Sequence, residues 1–158
     1  MMLTMKVSPN GRKFIEAWEA LYLKAYDDGT GGVTIGYGHT TAAGLPVVHM
    51  GMTITQEEAD QILSSDLASV EADCNHHITA TCNQNQFDAL ASFDFNTGAL
   101  DRSNVLSELN GGRLDLIKPS LLMWDHGRVH GQLVVLPGLL RRRQAEYILF
   151  STGEVFGP

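Results

Sequence analysis

With two cysteines and five prolines in 158 residues, the chain has little covalent or rigid-turn reinforcement. Cys74 and Cys82 are too few for the disulfide framework of a small secreted domain. Their spacing is short enough for a disulfide, which a reducing compartment would disfavour. No apolar run approaches the roughly 18 residues of a membrane span, which excludes an encoded transmembrane helix. Met1 to Asn10 contain no apolar stretch of secretory-signal length, so no cleaved leader is expected. Positive charge is scarce as well. Residues 1–101 carry 4 basic side chains against 13 acidic ones, a net of −9, while residues 102–158 carry 7 against 5, a net of +2. An acidic surface of this kind disfavours nucleic acid, whose phosphates demand the opposite sign. It also repels an anionic polymer at long range, but salt screens this beyond roughly 8 Å, so binding must rest on local contacts in a cleft.

Two further absences remove other chemistries. Gly29, Gly31, Gly32, Gly36 and Gly38 form a glycine-rich stretch, but no Lys-Ser or Lys-Thr follows, which excludes a phosphate-binding P-loop. Six histidines are present without an H-E-x-x-H pattern, and Cys74, His76, His77 and Cys82 match no common zinc spacing. These, with His126 and His130, read as loop and surface residues, and no metal is expected.

What is present is mostly helical periodicity with one β-like region. Ser8-Pro9 combines an N-cap residue with a first-turn proline, and Phe14, Ile15, Trp18, Leu21 and Tyr22 follow as an apolar stripe. Ala25 to Thr41 reads as short strands around a tight turn at Asp28–Gly32. Thr55-Gln56-Glu57-Glu58 is a capping box that opens a helix through about Asp73, long enough to join two lobes. Helices are predicted at Gln84–Thr97, Ser103–Asn110, around Leu114–Trp124 where Pro119 limits regularity, and at Pro137–Phe150. His126–Val135, with two glycines, reads as a loop, and residues 151–158 as a loose tail. With no internal repeat and no linker, residues 1–158 form one α+β domain whose core spans about 8–150.

The chemistry concentrates between residues 19 and 40. Glu19 ends the first apolar-periodic segment, Asp28 follows nine residues later in the glycine turn, and Thr34 opens a strand six residues on. Two carboxylates brought by separate elements to one cleft suit glycosidic hydrolysis: one protonates the leaving oxygen, the other activates or replaces water. Apolar neighbours such as Trp18 and Leu21 favour the protonated form of an acid, as a proton donor requires. Taken alone, Glu19 could be a surface acid, Asp28 an ordinary turn aspartate and Thr34 a strand former.

The uninterrupted pattern E-x6-Y-x-D-x5-T-I-G-x-G-H over Glu19–His39 resembles that of the phage lysozymes of glycoside hydrolase family 24. Gln86-Phe87-Asp88-Ala89-Leu90 through Phe95-Asn96-Thr97-Gly98 is similar to that family's central helix. Leu136-Pro137-Gly138-Leu139 with Arg141-Arg142-Arg143 and Glu146 is similar to its C-terminal helix. The likeness runs from about Ser8 to about Phe150. It departs at Ala20, where glycine is usual, and at Tyr22, where arginine is common, which leaves open the cation beside Glu19.

The resemblance implies a lysozyme-like fold, with a small β-hairpin lobe joined by a long helix to a helical lobe. It further implies a cofactor-free muramidase with Glu19, Asp28 and Thr34 as catalytic residues. Phe95, Asn96, Trp124 and one of the three arginines, assigned to Arg143, are its substrate contacts. It pairs His39 with Asp66, an arrangement that raises the pKa of a histidine and lowers that of its acid. The implied partner is bacterial peptidoglycan. The protein would be a monomer that waits in the host cytoplasm for a holin-like permeabilising protein and then acts on the wall from the periplasm. Two other readings remain from the residues alone: a catalytically silent wall-binding module, and a metal-dependent wall amidase using the histidines.

Overall fold

The computed structural model describes residues 3–158. Helix α1, Pro9–Glu19, starts where Ser8 caps it: the Ser8 hydroxyl accepts from the Gly11 amide and Pro9 occupies the first turn. The buried Asp88 carboxylate anchors this end, accepting from both the amide and the hydroxyl of Ser8 and from the Gln84 side chain. Phe14 and Ile15 are fully buried. At the other end Ala20 takes φ 57° and ψ 167° and turns the chain out of the helix.

Three short antiparallel strands follow in the order β1–β2–β3: β1 Tyr22–Asp27, β2 Val33–Gly36 and β3 His39–Thr40. Tyr26 lies opposite Thr34 and Asp27 opposite Val33, with an irregularity in β1 between Tyr22 and Tyr26. Ala25, Ile35 and Val48 form a small core under this sheet.

Helix α2, Gln56–His77, opens with the expected capping box between Thr55 and Glu58. Its 22 residues span about 33 Å at 1.5 Å per residue. It packs on β2 and β3 near its start and on α3 further along, which makes it the link between the two cores. It runs four residues beyond Asp73. His77, four residues on, bonds the Asp73 carbonyl and pairs with its carboxylate, and histidines suit the negative end of a helix.

Helix α3, Gln84–Thr97, is the hub of the larger lobe, with every residue from Phe87 to Asp94 buried. Its Asn83–Gln86 capping box and the left-handed Gly98 define its ends. Helix α4 is Asn104–Asn110 and α5 is Ile117–Leu122. The helix expected over Leu114–Trp124 is divided: a 3-10 turn at Leu114–Leu116 precedes α5, and Pro119 falls in the first turn of α5, where its missing N–H has no helical partner to lose.

The stretch His126–Val135, expected to be a loop, is an antiparallel hairpin of β4, His126–Val129, and β5, Gln132–Val135. Only His130 and Gly131 connect them, and both have positive φ, 49° and 79°. That is the two-residue turn whose twist matches paired strands. Helix α6, Pro137–Thr152, packs against α3 and α5. In the exposed tail after it, the Phe156 carbonyl accepts from the Trp18 indole at 2.9 Å. The result is an α+β fold with a small sheet-bearing lobe and a larger helical one.

Candidate active site

Glu19 is the last residue of α1, and the turn at Ala20 leaves its carboxylate facing α6. Its Oε1 lies 2.5 Å from Nη1 of Arg142, with the two side chains only 17% and 5% exposed. On the other side Gly38 comes so close that a Cβ there would sit 2.8 Å from Glu19 Oε2. A glycine with φ 76° therefore forms one wall of the carboxylate's seat. Arg142 is the cation beside Glu19 that the sequence left open.

Asp28 sits in the turn between β1 and β2. Its Oδ1 accepts from the Thr30 amide at 2.8 Å, the Thr30 hydroxyl at 2.5 Å and the Gly32 amide at 3.3 Å. The Thr30 hydroxyl, then its amide, holds this carboxyl below the ordinary range, so Asp28 is ionised at neutral pH. Its Oδ2 is 3.5 Å from the hydroxyl of the buried Thr34. Tyr26, opposite Thr34, has a phenol raised above its ordinary range by burial and then by Tyr22, Asp28 and Glu19.

His39 Nδ1 lies 2.7 Å from Asp66 Oδ2, and its Nε2 lies 3.0 Å from the Pro46 carbonyl. The pair is buried and ties β3 and the Leu45–Pro46 segment to α2. The pairing forms, but the direction expected for Asp66 does not. Burial raises its carboxyl above the ordinary range and outweighs the opposing hydrogen bond and charge of His39.

A cavity of about 410 Å³ adjoins Gly38, lined also by Thr40, Asp66, Val70, Asp94 and Phe95. Asp94 is pushed up to about 6, chiefly by burial and also by Asp73, against the pull of the Leu100 amide. Of the expected substrate contacts, Phe95 lines this cavity. Asn96 is exposed, with its side-chain oxygen accepting from Arg143. Trp124 stands edge-on to Phe93 and lines a separate pocket with Arg102, Asn104, Ser120 and Met123. Arg143 is corrected outright: it has no exposed surface to offer a sugar. Its guanidinium lies over Phe93 and 3.2 Å from Glu146.

The residues that sequence reasoning missed are those behind Glu19. Arg142 reaches Glu146 with Nε at 3.3 Å and Ser92 with Nη2 at 3.4 Å, and Ser92 donates to Glu146 at 2.9 Å. Arg142 and Glu146 are four apart, a pairing readable on a helix, but three successive arginines concealed which one it concerned. Burial raises the Glu146 carboxyl above its ordinary range, opposed by Arg143, Arg142 and Ser92. Cys74 and Cys82 are free thiols raised by burial, and Cys82 contacts the Met5 sulfur. Among the described residues, no three His, Cys, Asp or Glu side chains gather in a metal-holding group.

A carboxylic acid set against an arginine, with an ionised aspartate and a threonine hydroxyl on a neighbouring turn, is equipped for acid-assisted attack by water. The phage lysozyme family model matches residues 16–146. The endolysin of Acyrthosiphon pisum secondary endosymbiont phage 1 is 39% identical over 150 residues, covering 94% of this chain and 99% of that one. The endolysin of Salmonella phage P22 is 37% identical over 148 residues, covering 92% and 98%. Among solved structures, the endolysin from Escherichia coli O157:H7 phage FAHEc1 superposes with a TM-score of 0.89 at 34% identity, covering 100% and 99% of the two chains. The muramidase domain of SpmX from Asticaccaulis excentricus gives 0.83 at 36% identity, covering 93% and 98%. The chain belongs to the phage lysozyme family, and with it to the lysozyme-type glycoside hydrolases.

Proposed function

We propose that this chain is a muramidase that hydrolyses the β-1,4 bond between N-acetylmuramic acid and N-acetylglucosamine of peptidoglycan, with inversion at the anomeric carbon. The observation that carries this reading is the pairing of a seated acid, Glu19 against Arg142, with the ionised Asp28 beside the Thr34 hydroxyl. Glu19 gives its proton to the glycosidic oxygen as the C1–O bond breaks. Water attacks C1 from the opposite face and passes a proton to Asp28, while Thr34 holds that water. The products take up one water, and exchange with solvent restores Glu19 and Asp28. Inversion needs carboxyl groups about 6.5–9.5 Å apart, with room for the water. Phe95, beside Gly38, supplies an apolar face for a sugar ring, and Asn96 and Trp124 extend the contacts into the larger lobe.

The likeness to phage endolysins supports placing this activity in host cell lysis, and the proposal extends to the setting. The enzyme acts as a monomer, accumulates in the host cytoplasm and reaches the wall when a holin-like protein permeabilises the membrane. None of the described helices is long and apolar enough to cross a membrane itself.

The test is hydrolysis of purified peptidoglycan by wild type and Glu19→Gln, with the anomer of the first product read by NMR. Glutamine keeps the shape and loses the proton, so the rate should fall 10²–10⁴-fold, the usual worth of general acid catalysis (a span of about two decades). A Glu19→Gln protein that keeps more than about a tenth of the activity overturns the assignment. Initial release of the β-anomer overturns inversion and points to a covalent intermediate on Asp28.

A further inference from the structure

Glu146 is fully buried on α6, where an ionisable carboxyl is costly to keep. Its Oε1 accepts from Ser92 and lies 3.3 Å from Arg142 Nε, and its Oε2 lies 3.2 Å from Arg143 Nη1. The three nitrogens of the Arg142 guanidinium point three ways, Nη1 to Glu19, Nε to Glu146 and Nη2 to Ser92. Guanidinium is planar and fixed in geometry, so two anchored nitrogens dictate where the third one lies. The seat of Glu19 is thereby set from inside the larger lobe.

We infer that Glu146 is a positioning residue for Glu19, acting through Arg142 and balancing the positive charge behind the proton donor. The inference rests on the reading of Glu19 as that donor. A guanidinium next to a carboxyl favours its ionised form, yet a donor must begin each turnover protonated. The charged and titratable groups facing Glu19 are Arg142, with Arg143 and Glu146 behind it on α6, and Tyr26 on β1. Among the groups on α6, Glu146 is the one negative charge, set between the two arginines. Replacing it by a neutral group leaves two buried cations without their counter-charge behind Glu19, and frees Arg142 to swing.

The experiment compares wild type, Glu146→Gln, Glu146→Asp, Ser92→Ala and Glu19→Gln in rates of muropeptide release from purified peptidoglycan across pH 4–9, with thermal melts on each. Folded Glu146→Gln should lose about 10²-fold in kcat, the effect of a misplaced catalytic group, with KM nearly unchanged. The basic limb of its profile should move to lower pH by about one unit. Glu146→Asp, which keeps the charge, should restore most of the limb position. A folded Glu146→Gln protein with the wild-type limb overturns the inference, even if its rate is reduced, because a purely structural role lowers rate without moving the limb. If Glu146→Gln does not fold, Ser92→Ala decides. Loss of that donor weakens the ionised form of Glu146, so the limb should move in the same direction by less, and an unmoved limb again overturns the inference. Retained activity in Glu19→Gln defeats the underlying reading instead. An inactive Glu19→Gln beside an unmoved Glu146→Gln limb defeats only this inference.

Discussion

His39 and Asp66 are held together over 2.7 Å in a nearly dry site, and the Pro46 carbonyl at 3.0 Å fixes what they can share. A carbonyl only accepts, so Nε2 is the ring nitrogen that donates to Pro46, and Nδ1 faces the Asp66 carboxyl. Burial raises the Asp66 carboxyl. A folded-state pKa above the unfolded value, about 3.9, gives a contribution that is complete below that value and is lost as pH rises through the raised one. Wild type should therefore lose stability relative to Asp66→Asn as pH climbs from about 4 upward. Thermal melts of both proteins over pH 3–8 check this. A difference that stays flat, or that grows in favour of wild type, would refute the raised Asp66 carboxyl.

Ala20 follows the proposed proton donor with φ 57° and ψ 167°, a region open in practice to glycine alone. Such a residue stores about 1–3 kcal/mol of backbone strain. Ala20→Gly should raise stability by about 1 kcal/mol, the strain relief being partly offset by the greater entropy of an unfolded glycine. That corresponds to a Tm increase of roughly 2–4 °C for a chain of this size. Calorimetry on the two proteins measures it, and a lower Tm for the glycine variant would refute the strain.

Gly38 seals the opposite wall of the same carboxylate. Its φ of 76° disfavours any side chain, and an added Cβ would reach 2.8 Å from Glu19 Oε2. Gly38→Ala must either push Glu19 off Arg142 or reshape the turn between β2 and β3. Activity should fall about 10²-fold, as expected for a displacement of about 1 Å at a reacting group. Rates on purified peptidoglycan measured on folded protein test this, and an unaffected rate would show that the seat of Glu19 has slack.

Much of this fold was legible because local chemistry and global packing agree. The Thr55–Glu58 box, the Ser8-Pro9 start and the Phe87–Phe95 pattern each predict a helix that is present. The hairpin at His126–Val135 was not legible, since His130-Gly131 lacks the Asn-Gly signature and the glycines suggested a loop. The Glu19–Asp28–Thr34 stretch could be read because it is contiguous in sequence. The support for Glu19 comes from Ser92 and Arg142, 73 and 123 positions away, so only packing of α3 on α6 brings it together. The direction at Asp66 was misread for a related reason. Pairing with a histidine shows in a motif, whereas desolvation depends on everything that surrounds the pair.

Asp94 gives a second acidic titration at the cleft, distinct from that of Asp66. Its Oδ1 accepts from the Leu100 amide at 3.2 Å, and its carboxyl borders the cavity that holds Phe95. Burial first, and then the neighbouring charges of Asp73 and Asp101, push it up to about 6. The folded value again exceeds the unfolded one, about 3.9. Its contribution is therefore complete below about pH 4 and is lost as pH rises through about 6. Asp94→Asn keeps an oxygen for the Leu100 amide and removes the ionisation. Relative to that variant, wild type should lose stability between about pH 4 and 7, on the order of 1 kcal/mol once solvent screening at the cavity is allowed for. The variant, rather than the pH window, separates the two acids, because Asp94→Asn removes its own share of the stability profile while leaving the His39–Asp66 pair in place. Urea unfolding of both proteins at half-unit pH steps resolves this. A stability difference constant from pH 4 to 7 would mean that Asp94 ionises in the folded protein as readily as in the unfolded chain.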